Sequence, residues 1–99
     1  MARFLCLWEL DRAAIPRNPQ GWIQWEDLVK EVSDETEKGF IKDWGQFVGE
    51  LNGYAIFEGS EHDVTRFAQR LITLVSLKIR PIASLDEVGE LIRALTGSD

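Results

Sequence analysis

Lys78 and Arg80 stand two residues apart in the run Val75-Ser76-Leu77-Lys78-Ile79-Arg80-Pro81-Ile82. A strand turns alternate side chains to opposite faces, so both cations rise from one side. Such a pair can hold the charge of a small organic acid or an enol-type anion. Trp44, Gln46, Tyr54 and Glu58 fall on a hairpin earlier in the chain and could line the same pocket at the sheet. Glu58, or Glu9 on the first strand, would then serve as general base, with Arg80 stabilising the anion. The competing reading is structural: Lys78 and Arg80 pair with Glu9 or Glu58 across strands, leaving no site at all.

Other reactive residues are few. His62 opens a helix, where it would be solvated and its cation disfavoured by the helix dipole, so it reads as a surface residue. Cys6 lies mid-strand and reads as a small buried hydrophobe. With one cysteine and one histidine in the chain, neither an internal disulfide nor a cysteine or paired-histidine metal site can be built, and no metal or cofactor is expected. Eleven Lys plus Arg against seventeen Asp plus Glu give 11 − 17 = −6, which argues against a nucleic-acid partner. The apolar run near the N-terminus is too short for a signal-peptide core, and no apolar stretch reaches a membrane span, so a soluble, reduced, cytoplasmic protein is expected.

The elements that must position these residues follow from changes of hydrophobic period. Ninety-nine residues, 44% hydrophobic and 28% charged, make a single domain over 1–99 with one core. Residues 3–10 are β-favouring and apolar on both faces, as a covered strand would be. A loop at 11–19 ends in Asn18-Pro19, an N-cap followed by proline at the first helical position. From Gln20 the spacing of Trp22, Trp25, Val29, Val32 and Thr36 is helical, with Gly39 as the stop. Trp22 and Trp25 read as core, the alternative being the edge of a ligand cleft under the preceding loop. A strand is predicted over 40–48, a turn at Glu50-Leu51-Asn52-Gly53, and a return strand over 54–58, with Asn52-Gly53 as the hairpin signal. A one-residue slip there would exchange which of Trp44 and Phe47 faces inward.

Ser60 and Asp63 form a capping box for a second helix whose stripe is Val64, Phe67, Ala68, Leu71 and Ile72. The strand at 75–82 follows, with Pro81 marking an edge or an end. A full capping box, Ser84-Leu85-Asp86-Glu87, starts a last helix with the stripe Leu85, Val88, Leu91, Ile92 and Leu95, ended by Gly97. The order is β-α-β-β-α-β plus a C-terminal helix, which predicts an α+β, ferredoxin-like four-stranded antiparallel sheet with the first and third strands central. Two crossover helices cover one side of such a sheet. The other side would be an exposed apolar patch, which predicts a homodimer through the open sheet face.

The order, the length and the segments 41–45, 54–59 and 75–82 resemble the dimeric α+β barrel superfamily, in which sheets of two copies stack. That superfamily includes muconolactone isomerases, cofactor-independent monooxygenases and haem proteins related to chlorite dismutase, and the resemblance is nearest to its uncharacterised group. It implies a homodimeric domain; with the cationic pair beside aromatics, the expected function is binding of a small acidic or aromatic molecule, or alternatively a metal-free isomerase or cofactor-independent monooxygenase. A third reading is a purely structural dimerisation module. No histidine falls on a strand, which argues against haem.

Overall fold

The computed structural model describes residues 2–72 and 74–97. Its elements are β1 (Arg3–Leu10), α1 (Ile23–Glu37), β2 (Ile41–Gln46), β3 (Asn52–Glu58), α2 (Glu61–Leu71), β4 (Val75–Ile82) and α3 (Leu85–Thr96). The four strands form one antiparallel sheet in the order β2-β3-β1-β4, so the first and third strands are central. The chain is thus an α+β domain with three helices.

Alternation along the strands divides the sheet into two unlike faces. Phe4, Cys6 and Trp8 from β1, Ala55 and Phe57 from β3, Ile41 from β2 and Val75 from β4 point to one side and are buried. Val64, Phe67 and Leu71 of α2 complete this core, and Trp25, Leu28 and Val32 of α1 pack against it while staying partly exposed. Phe40 ties the layers together: its ring stacks on Phe57 at 5.1 Å and meets Phe67 edge-on at 5.6 Å. The opposite face carries Leu5, Leu7, Tyr54 and Ile56, half-buried or exposed, with no described helix laid across them.

Local signals place the helix ends as expected. The Ser60 hydroxyl accepts from the Asp63 amide at 3.1 Å while the Asp63 carboxylate accepts from the Ser60 amide at 3.2 Å. Ser84 and Glu87 repeat this reciprocal box at the start of α3, and Gly97 ends that helix with φ 74°. Asn18 also caps, accepting from Gly21 at 3.0 Å. What it opens, however, is a short 3₁₀ turn over Pro19–Trp22, and α1 begins one residue later.

Two sequence expectations are corrected. The chain does not reverse at Asn52-Gly53: both residues belong to β3, and the loop occupies 47–51. Gly49 takes the left-handed position there, with φ 79°, and the Phe47 amide donates to the Asn52 carbonyl at 2.9 Å to close the loop. Gly53 is needed for a different reason. A Cβ at that position would lie 2.0 Å from the Gly45 carbonyl oxygen and 2.5 Å from the Trp8 ring. The second correction concerns α1, whose inward stripe is Trp25, Leu28 and Val32, whereas Trp22 and Val29 are exposed. The 3₁₀ turn shifts the helical phase relative to one counted from Gln20.

Candidate functional site

The register of β2 decides where the candidate residues go. Ile41 pairs with Phe57, but the next aligned pair is Asp43 with Ile56, so a bulge falls at Lys42. One extra residue in a strand resets which side chains share a face. Beyond the bulge Trp44 pairs with Ala55 and Gln46 with Gly53, which turns both toward the helices. Phe47 goes to the other side and stacks on Tyr54 at 6.2 Å.

On the helix side a cleft of about 680 Å³ opens between α1 and the sheet. Trp8 and Trp44 form its floor, their rings stacked at 5.3 Å and inclined by only 11°. The Trp8 indole nitrogen is satisfied by donating to the Tyr54 carbonyl at 3.2 Å. Trp22, Trp25, Leu28 and Val32 make the facing wall, with the Trp22 and Trp25 rings 6.3 Å apart and tilted by 48°. Polar groups stand at the rim, among them Thr36, Lys42 and Gln46. Several are already engaged: the Thr36 hydroxyl donates to Val32 at 2.7 Å and the Gln46 amide to Glu50 at 2.7 Å. A volume of this size, apolar and aromatic with a few rim hydrogen-bonding groups, is what small-molecule sites share. Cys6 lies among the lining residues, but burial pushes its thiol up to about 11, so it enters no thiolate chemistry at neutral pH.

The remaining candidates lie on the opposite face. Tyr54 donates its hydroxyl to Asp43 at 2.8 Å, a bond that raises the phenol above its ordinary value, with desolvation and the Asp43 charge adding to it. Glu58 is held by the Arg3 guanidinium at 2.9 Å and faces the Lys42 ammonium at 4.0 Å. Lys78 and Arg80 stand beside Leu7 and Leu5 of β1 in register, and among the described residues no ion pair joins either of them. Glu9 is exposed on the same face, opposite Asn52 and Ser76.

The six candidate ligand residues therefore divide: Trp44 and Gln46 line the cleft, Tyr54, Lys78 and Arg80 share the far side of the sheet, and Glu58, at the end of β3, also lines the second groove described below. Trp8 and Leu28 are the important cleft residues that spacing did not single out. The signal for Trp8 was present, since a glycine cross-strand from a tryptophan marks a place where a large ring needs room. Trp25 packs against the core as expected and also lines the cleft, whereas Trp22 is exposed and only edges it.

A second, more open groove of about 350 Å³ includes Glu35, Arg66 and Arg70. Its charges largely satisfy one another: Arg70 binds Glu31, lies 3.9 Å from Glu35, and packs over the Phe67 ring at 5.4 Å. Among the described residues no helix is long and apolar enough to cross a membrane. In comparison with known proteins, the chain matches no family model and no curated relative.

Proposed function

We propose that this chain is a ferredoxin-like domain of the dimeric α+β barrel kind. On this reading it works as a cytoplasmic homodimer and binds a small aromatic molecule in the cleft between α1 and the sheet. The observation that carries the ligand reading is the stacked Trp8–Trp44 floor beneath a largely apolar space of about 680 Å³. Stacked indoles present a flat π surface, on which another flat ring gains both burial and offset stacking. Support for an acidic ligand weakens, because Lys78 and Arg80 stand on the other side of the sheet. Strand order and the β-α-β-β-α-β succession support the ferredoxin-like assignment. The apolar strip of Leu5, Leu7, Tyr54 and Ile56 supports a homodimer through that open face.

The ligand reading is tested by titrating the protein with indole, naphthol and benzoate while following tryptophan emission and thermal stability. A rise in Tm and a saturable change in emission are expected for the neutral aromatics. Trp44→Ala should weaken binding by about tenfold, as loss of a stacking ring worth 0.5–1.5 kcal/mol plus its buried area implies. Arg80→Ala should leave it unchanged. Absence of any saturable signal at millimolar ligand overturns the proposal, and so does a requirement for Arg80.

A further inference from the structure

α3 is an amphipathic helix that, among the described residues, makes no principal contact with another element. Its stripe is in water from end to end, with Leu85 87% and Leu95 76% exposed and Val88, Leu91 and Ile92 between them also exposed. The radius of gyration, 16.8 Å, is well above the roughly 13 Å of a compact chain of this length, and the long axis reaches 62 Å. Only residues 83 and 84 separate β4 from α3. One side of that connection is held by the pairing of Ile82 with Arg3 and the other by the Ser84 capping box, so the helix is aimed away from its own sheet.

The open sheet face is the second surface left uncovered, and it is apolar like the stripe. Leu5, Leu7 and Ile56 form an apolar strip bordered on the β4 side by Lys78 and Arg80, the cations that lack an ion pair among the described residues. α3 carries Asp86, Glu87 and Glu90 against the single base Arg93. At 100° per residue Asp86 and Glu90 project from the side opposite the stripe, so they stay in water when the stripe docks, and the match between helix and sheet is an apolar one.

We infer that the occupant of the open face is α3 of a second copy, exchanged reciprocally about a twofold axis, its leucine stripe laid on the apolar strip. The inference rests on the reading of the chain as a homodimer and specifies what makes the interface. Size is adequate. Apolar side chains leaving water carry roughly 60–100 Å² each. Five from α3, the matching strand surface, and the twofold repetition reach about 1,600 Å², the area of a standard stable interface. Twofold symmetry makes the exchange closed, since each copy gives one helix and receives one.

The experiment uses two full-length variants, one in the helix (Leu91→Glu with Leu95→Glu) and one in the sheet face (Leu7→Glu). All three positions are exposed, and near-ultraviolet circular dichroism of the core aromatics checks that each variant keeps the packed sheet and its two covering helices. Light scattering at micromolar protein should report two chains for the wild type and one for each variant alone. Mixing the variants should restore a two-chain particle, because the intact helix of one can dock on the intact face of the other. If the helix variant remains dimeric while the face variant does not, bare sheets stack: exchange is overturned and the homodimer stands. If the face variant remains dimeric while the helix variant does not, α3 pairs with α3 and the exchange is again overturned. A monomeric wild type overturns the homodimer and the exchange together.

Discussion

Gly53 shows how one missing methyl group governs the site. Its backbone runs so close to the Gly45 carbonyl and the Trp8 ring that no rotamer adjustment of a single side chain could admit a Cβ, because one of the two neighbours is backbone. Gly53→Ala is therefore expected to destabilise the fold by about 3 kcal/mol, the upper end of overpacking costs, and to unseat the Trp8–Trp44 stack. Chemical denaturation measures the first effect and near-ultraviolet circular dichroism the second. A variant as stable as the wild type would mean that the β2–β3 pair yields easily there. The same residue explains why the chain carries Asn52-Gly53 without turning at it: the glycine is required for close packing, and a different glycine, Gly49, takes the turn.

Among the elements, α2 has a start that its own first turn specifies. Ser60 and Asp63 cap each other reciprocally, and the Asp63 carboxyl is held below its ordinary value of 3.8, first by the Ser60 backbone amide and then by the Ser60 hydroxyl. A carboxyl depressed on folding stabilises the protein fully above its unfolded value, and that contribution drains away as pH falls through the lower folded value. Asp63→Asn should accordingly flatten the loss of Tm below about pH 4, where the carboxyl of the unfolded chain begins to protonate. Ser60→Ala should cost about 1 kcal/mol at neutral pH. A wild-type acid limb unchanged by Asp63→Asn would show that the box carries no pH-dependent stability. α3 has an equally good box, yet a helix of 12 residues is marginal in water without a surface to pack against. Capping sets where α3 begins; what keeps it helical is whatever its leucines touch.

At the scale of the whole molecule, the sheet has too few helices for two faces. α1 and α2 both serve the side of Phe4, Cys6 and Trp8, and even there α1 stands off far enough to leave the tryptophan cleft. An association that buries the open face and the α3 stripe links stability to protein concentration. Tm is therefore expected to rise by several degrees as the chain is concentrated from the micromolar to the millimolar range, an effect of a few kcal/mol on a domain of about this size. Differential scanning calorimetry over that range measures it. A Tm independent of concentration would place all of the folding free energy within one copy.

What was legible in the residues is what depends on near neighbours. Strand and helix types, both capping boxes, the edge proline in β4 and the burial of Cys6 follow from period, caps and backbone restrictions, which act over a few positions. Even the central placing of the first and third strands follows, since they alone are apolar front and back. The loop at 47–51, the bulge at Lys42 and the phase of α1 were not legible. The loop position follows from Gly53 being held against the distant Trp8, the bulge from the β2–β3 register, and the phase of α1 from a 3₁₀ turn that Asn18-Pro19 caps as well as it would an α-helix. A one-residue shift in any of them costs little locally. The bulge put Trp44 and Gln46 on the helix side, away from Tyr54, Lys78 and Arg80, and the phase of α1 set Trp25 opposite the Trp8–Trp44 floor. Side-chain composition thus sets the inventory of aromatic rings and charges. Which of them meet is set by strand register, because a pleated sheet sends alternate residues to opposite sides.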